Sequence, residues 1–492
     1  MKNTTKTINT LKRALEHAEN HLSNLDTRPV STPIELDELK RRLDVGLNES
    51  GVEPQLVIDE LIAAAKSGLL GCAGGRFFAW VIGGALPSAL AADWLTSTWD
   101  QNAALYATGP SVSVIEEIAG EWLKSLLDLP TGASVAFTTG CQMAHFTGLA
   151  AARFSVLQNK NWDVNRDGLT GAPPIRVFTS KHRHGSIDRV VRFLGIGTNN
   201  LITLETDTDE RITCESLEKA LNQHKGPAIL VLDAADLNVA AFDPFEELIP
   251  IAKNKGVWVH IDGAFGLFAR ASKTKKPFTK GIELADSWAT DGHKWLNVPF
   301  DCGMAFVRDR DAHRHSMTIT ASYIEAEGNA RDQIDWNPEW SRRARGVSVY
   351  AALRELGRSG VERLIDDSCE YCLSIVKGIG NIEGAEVLWQ PTLNQGLVRF
   401  CNMQRNASEE DHDRRTERVI RLINETGEVF FSGTTWKGRK AMRVSVVNWM
   451  TDENDVSKSV QAVAKVLKTL SKYDAEQNAA LDSCSAALHK NQ

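Results

Sequence analysis

Ile8, Leu11, Leu15, Ala18, Leu22 and Leu25 recur at alternating spacings of three and four, the pattern of a narrow apolar seam along one amphipathic helix. Such a seam docks on the chain's own body or on a second subunit. Pro29 and Pro33 interrupt it, and a second helical region is expected over residues 36–70. The glycine-rich stretch 71–84 carries Phe77, Phe78 and Trp80, three large rings that read either as pocket lining or as ordinary core. From about residue 110 the period alternates between that of strands and that of helices. Residues 134–139 read as a strand, Gly140 as a turn and 141–154 as a helix; 175–179 is a further short strand. Residues 228–233 are apolar enough for a strand buried on both faces, 244–255 place Phe245, Leu248, Ile249 and Ala252 on a helix face, and 257–262 form another strand. That is a βαβ unit, with parallel strands and a right-handed crossover. A short strand follows at 287–290. Beyond about residue 355 helices resume, with strands at 396–400 and 441–446.

The pattern divides the chain into a helical segment (1–90), a large α/β domain (91–355) with a mainly parallel sheet, a smaller α+β domain (356–470) and a polar, loosely packed tail (471–492). Composition changes this picture little. The 492 residues are 42% hydrophobic and 24% charged, ordinary values for a globular chain. Lys plus Arg number 56 against 63 Asp plus Glu, and no basic cluster lies beneath the net charge of −7, which argues against a nucleic-acid partner. The most apolar stretch, 77–95, is interrupted by Gly83, Gly84, Pro87 and Asp93, so no membrane span is expected. The eight scattered cysteines suit reduced thiols in a cytoplasm, and Cys369 with Cys372 reads as a structural pair within a helix.

The chemistry concentrates at strand ends. Asp262 closes one strand and Lys294 falls just past the next, so both face the ligand edge of an open α/β sheet. Trp295, Leu296 and Val298 beside Lys294 predict a desolvated, neutral and nucleophilic amine; the alternative is an Asp–Lys salt bridge at a domain edge. Gly140, between a strand and a helix start, offers backbone amides to a phosphate. Cys141 at that helix start is an alternative nucleophile, if its thiol is acidic. His184, past the following strand, either stacks on a planar cofactor or belongs to a solvated loop. Phosphate cradle, stacking ring, acidic partner and imine-forming lysine, in that chain order, are the parts of a pyridoxal 5′-phosphate (PLP) site.

Over residues 7–468 the chain resembles the group II PLP-dependent amino-acid decarboxylases, relatives of the aromatic-L-amino-acid and glutamate decarboxylases. The resemblance rests on residues 260–266 (HIDGAFG) and 285–302 (ADSWATDGHKWLNVPFDC), with support from 77–80, 139–146 and 341–346. It implies fold type I, a homodimer whose N-terminal segment wraps the partner, and an active site at the subunit interface. It also implies roles: Lys294 as Schiff-base lysine, Asp262 as partner of the pyridine nitrogen, Ala264 and His184 on the two sides of the ring, and Cys141, Gln142 and His293 around the phosphate. Arg443 would bind the substrate carboxylate, while Trp80 and Val81 would line the substrate pocket. Three departures stand out: Cys-Gln replaces small or hydroxyl residues in the cradle, Asn238 replaces a threonine near the cofactor's hydroxyl, and Gln333 aligns with a mobile-loop tyrosine. Trp336 lies near that position and Tyr323 upstream of it. The expected activity is decarboxylation of an L-amino acid with an aromatic or apolar side chain. Alternatives are an aldehyde synthase, an aminotransferase or a catalytically silent binding protein; the intact Asp262 and Lys294 argue against the last.

Overall fold

The computed structural model describes residues 2–319 and 330–489, with side chains over 4–319 and 330–473. The strands are β1 (Phe77–Phe78), β2 (Ser134–Thr138), β3 (Arg176–Ser180), β4 (Leu201–Leu204), β5 (Ala228–Asp233), β6 (Trp258–Asp262), β7 (Ser287–Asp291), β8 (Gly303–Val307), β9 (Ala385–Trp389), β10 (Gln395–Phe400), β11 (Phe430–Trp436) and β12 (Arg439–Ser445). β2 to β8 make one seven-stranded sheet in the order β2-β8-β7-β6-β5-β3-β4. The pairs β3–β4, β3–β5, β5–β6 and β6–β7 are parallel, whereas β8 runs antiparallel to both β2 and β7. β2 therefore points the same way as β7, and the carboxyl ends of β2, β5, β6 and β7 meet at one edge. This is the expected α/β architecture of fold type I.

Helices cover both faces of that sheet, so β2, β5, β6, β7 and β8 are buried along their whole length. One face packs Phe137, Leu230, Leu232, Ile261, Trp288 and Phe306; the other packs Val177, Ile229 and Val231 against Ile187, Val190 and Leu149. The smaller sheet has the order β1-β11-β12-β10-β9. Its edge strand comes from far upstream: Phe77 pairs with Phe430 and Phe78 with Phe431, and Phe77 and Phe430 stack with centroids 4.9 Å apart. The N-terminal segment is thus sewn into the C-terminal sheet.

Cys369 and Cys372 lie buried within the helical stretch Gly346–Gly380, which kinks at Gly357 where φ is +57°. Burial pushes the Cys369 thiol up to about 12, as suits a packing role. The final helix, Glu453–His489, continues through the segment whose composition suggested a loose tail. The first helix, Lys2–Ser23, keeps Ile8, Leu11, Leu15 and Leu22 exposed while Leu25 beyond it is buried, so most of its apolar seam lacks cover from this chain. No described helix is long and apolar enough to cross a membrane.

Candidate active site

β6 ends in Asp262 and β7 in Asp291, and the turn after β7 carries Lys294. The Lys294 Nζ stands 3.2 Å from Asp291 Oδ2 and 5.9 Å from the centre of the Phe265 ring. Asp291 Oδ1 accepts the Cys141 amide at 2.6 Å, so one carboxylate ties the lysine to the first turn of the helix Cys141–Gln158. Burial penalises the Lys294 ammonium, but Asp291 and Asp262 outweigh it and raise the amine's pKa. This corrects the sequence expectation of a neutral amine. Apolar neighbours in sequence pointed one way; the two carboxylates in space decide the other. Asp291 was missed as a functional residue, although its strand-end position, the same as that of Asp262, was a usable signal.

Burial raises the Asp262 pKa, yet His145, His184 and Lys294 together hold the carboxyl well below the usual carboxylate range. The Ala264 amide donates to Asp262 Oδ1 at 3.1 Å, and His145 Nε2 lies 3.4 Å from Oδ2. Ala264 itself packs against the small-residue cluster of Ala136, Cys141, Ala144, Ala289 and Ala305. His184 caps the helix Gly185–Phe193: its Nδ1 accepts the Ser186 amide at 3.2 Å, fixing the imidazole at the mouth of the site. Crowding lowers the His184 pKa against the opposing pull of Asp262.

At the cradle, the Met143 and Ala144 amides both turn back to the Gly140 carbonyl, and that of Cys141 goes to Asp291. The Gln142 amide is the one left without an acceptor in this turn, as helix N-termini require. The Gln142 side chain accepts from Arg189 at 2.9 Å, which brings a second cation beside the cradle. Arg189 was also missed in the sequence. His293 accepts the Cys302 amide on Nδ1 at 3.2 Å, stacks on Phe300 at 4.3 Å and keeps Nε2 3.6 Å from Asp291. A Cβ on Gly303 would sit 2.3 Å from the Gly140 carbonyl carbon, so only glycine lets β8 pass behind the cradle.

The Cys141 alternative fails. The thiol is buried, and burial with Asp291 and Asp262 raises its pKa far above the ordinary value, so no thiolate forms near neutrality. Brief iodoacetamide treatment of the folded protein at pH 8 should leave Cys141 unmodified by mass spectrometry, while unfolding in urea exposes it. Rapid labelling in the native state would contradict this burial.

The residues expected on the substrate side lie on different parts of the fold. Val81 is buried and Trp80 half exposed, its ring 5.5 Å from Phe430. Their loop is pinned to the lysine turn, because Asn297 accepts the Gly84 amide on Oδ1 at 3.0 Å and the Leu86 amide on its carbonyl at 2.8 Å. A Cβ on Gly83 would lie 2.2 Å from the Lys294 carbonyl oxygen. Arg443, on β12, is buried; Nη1 donates to the Leu237 carbonyl at 2.8 Å, and Nε is buried without a partner. Asn238 has its side-chain oxygen taken by Thr434 at 2.8 Å, a bond between the domains, so that atom is spoken for. Gln333 is buried in the short helix Gln333–Asp335, its amide 3.4 Å from the Ser113 carbonyl, and Trp336 is buried against His313. A core position does not match a loop tyrosine, which corrects the alignment made from sequence. Tyr323 lies outside the described residues.

Behind the site, Asp243 accepts the Ile212 and Asp233 amides at 2.8 Å each, and burial raises its carboxyl to about 7. A carboxyl whose pKa is raised on folding contributes stability below about pH 4 that is lost as the pH climbs through 7. Urea unfolding should therefore show stability falling between about pH 4 and 7, with a shallower slope in Asp243→Asn; an unchanged slope would exclude this group as the source.

A lysine, an aspartate and a helix N-terminus gathered at the carboxyl edge of a largely parallel sheet define a cofactor enzyme that works through an imine. The donor set fits PLP: a free amide at a helix start for the phosphate, an ionised carboxylate for the pyridinium and an amine for the aldehyde. The chain belongs to the pyridoxal-dependent decarboxylase family, whose conserved-domain model matches residues 37–402. It is similar to the aromatic-L-amino-acid decarboxylase of Bacillus atrophaeus, 26% identical over 468 residues, 93% of this chain and 95% of the relative. It is also 27% identical over 369 residues to an acidic amino acid decarboxylase of Bos taurus, covering 72% of this chain and 69% of that one. The crystal structure of Oryza sativa TDC with PLP and tryptamine shares the fold at a TM-score of 0.88 and 20% identity, covering 95% and 98% of the two chains. The protein is a PLP-dependent amino-acid decarboxylase, a carboxy-lyase.

Proposed function

We propose that the substrate is an L-amino acid with an aromatic or apolar side chain, released as the amine with CO2. The observation that carries this reading is the placing of Trp80, on a loop pinned to the Lys294 turn, against Phe430 and Phe77. Relatives named for aromatic and for acidic amino acids match at similar identity, so the reading rests on these side chains and not on kinship.

Bound PLP supplies an electron sink conjugated with the substrate's Cα. Lys294 is the amine that would hold the cofactor's aldehyde carbon, and Asp291, 3.2 Å away, keeps that amine charged and within reach when it is free. Asp262 holds the proton on the pyridine nitrogen, an electrostatic effect that grows in a dry, preorganised site. The amide of Gln142, with Cys141 and His293 beside it, would hold the phosphate, and His184, Ala264 and Asn238 would hold the ring. Arg443 fixes the substrate carboxylate, which sets the bond to be broken. Val81 completes the substrate side.

The working unit in this reading is a homodimer in the cytoplasm, the exposed seam of Ile8, Leu11, Leu15 and Leu22 lying over the partner. Incubation with a panel of amino acids, measuring CO2, amine, aldehyde and peroxide together, tests the reaction. Amine and CO2 from aromatic substrates are expected. Turnover confined to aspartate or glutamate rejects the substrate class, and aldehyde with peroxide would make the protein an aldehyde synthase.

A further inference from the structure

Beneath Asp262 lies a file of polar side chains that the reaction as described does not use. His145 Nδ1 stands 2.9 Å from His260 Nε2, and His260 Nδ1 stands 2.8 Å from Ser287 Oγ. Trp258 Nε1 donates to the same Ser287 oxygen at 2.9 Å. His145, His260 and Ser287 are at most 1% exposed, in a region where packed apolar side chains would be the cheaper choice. The neighbouring helix makes room for them: a Cβ on Gly148 would fall 2.9 Å from His260 Cε1 and 3.3 Å from Ser287 Oγ.

The proton order along this file follows from its two ends. Indole nitrogen is only a donor, so Ser287 accepts from Trp258 and is free to donate its own hydroxyl proton to His260 Nδ1. His260 then carries its proton on Nε2 and donates to His145 Nδ1. His145 in turn carries its proton on Nε2, which faces Asp262 Oδ2 and the Cys141 sulfur, each at 3.4 Å. For a neutral His145 the reverse order would set a lone pair against an ionised carboxylate. Burial lowers the His260 pKa far below the ordinary value and keeps that ring neutral, as the relay requires.

We propose that His145 is a positioning residue for the cofactor: a one-way relay from Trp258 through Ser287 and His260 locks it as the Nε2–H tautomer, which fixes Asp262 and keeps it ionised for the pyridine nitrogen. The proposal rests on the role assigned to Asp262. Other charged or titratable groups facing this contact are Cys141 from the same helix, His184 from the capped helix, and Asp291 and Lys294 from the end of β7 and its turn.

The test uses the holoenzyme and reads the cofactor's absorbance against pH, its dissociation constant, and the melting temperature of the apoenzyme. His145→Ala should weaken cofactor binding about tenfold and move the midpoint of the absorbance titration by about one pH unit. Added imidazole should reverse both, and His145→Gln, which keeps an N–H donor, should show a smaller change. His260→Leu should move the titration in the same direction while leaving Asp262 untouched. Asp262→Asn is the control. If it alters spectrum and affinity while His145→Ala, His145→Gln and His260→Leu match wild type, the relay proposal is overturned and the reading of Asp262 stands. If Asp262→Asn also matches wild type, both fall. Where His145→Ala does not fold, the His145→Gln and His260→Leu titrations decide alone.

Discussion

Lys294→Ala is expected to lose the borohydride-reducible link between protein and cofactor and to lower decarboxylation by at least about 10⁴-fold, the upper range for deleting one positioned proton-transfer group. The reason is positional as well as chemical. Lys294 is the amine held at the ligand edge between Asp291 and the Phe265 ring, and its backbone carbonyl is where the Gly83 loop closes. Alanine leaves that backbone contact in place, so the fold and the cradle should persist and the cofactor should still bind through its phosphate, only non-covalently. Dialysis of the variant should then remove PLP that the wild type retains. Borohydride reduction followed by peptide mass spectrometry checks the prediction: a reduced adduct at residue 294 in wild type and none in the variant. An adduct surviving elsewhere with undiminished turnover would remove Lys294 from the mechanism.

The strands of the large sheet were legible because their run lengths and apolar character leave few alternatives: 228–233 and 257–262 were read to within a residue of the observed β5 and β6. β4 and β8 were not read. β8 follows the irregular segment that carries Lys294 and runs against its neighbours, and five mostly apolar residues carry no mark of direction. β1 was hidden for a different reason: two phenylalanines have no period, and their partners lie about 350 residues downstream. Among site residues, those at strand ends could be read because topology alone brings them together. Asp291 shares that strand-end signal, but His145 could not be valued from sequence, since what matters is the partners it meets across the fold, Asp262 and His260. The reversal of the Lys294 charge expectation has the same origin. Gln333 marks the limit of alignment by motif: the resemblance aligned it with a mobile-loop tyrosine, while the structure buries it beside the Ser113 carbonyl.

Arg342→Met should destabilise the protein by about 3–5 kcal/mol, the range for leaving one member of a buried ion pair alone. Arg342 sits in the 341–346 segment that the sequence marked only as family-like. Its two terminal nitrogens hold Glu116 at 2.6 and 3.0 Å, and both side chains are fully buried. The same guanidinium also donates to the Phe137 carbonyl at 2.9 Å and the Ala103 carbonyl at 3.1 Å, while Glu116 accepts the Gly346 amide at 3.1 Å. Phe137 lies on β2, whose end forms the phosphate cradle, so this pair joins the helix Pro110–Leu126, the cradle strand and the start of the helical stretch Gly346–Gly380. Methionine replaces the aliphatic stem but strands a carboxylate that keeps only the Gly346 amide. If the loss comes from that stranded charge, adding Glu116→Leu should recover most of it, because a neutral apolar pair of similar volume no longer buries an unpaired ion. If it comes instead from the lost carbonyl contacts to Phe137 and Ala103, the double variant stays as unstable as the single one. Urea unfolding followed by circular dichroism, alongside the absorbance of bound cofactor, separates the two. In the first case cofactor binding returns with stability, since β2 again carries the cradle on a satisfied core. In the second the fold recovers little, and the cradle loses its phosphate before the chain unfolds.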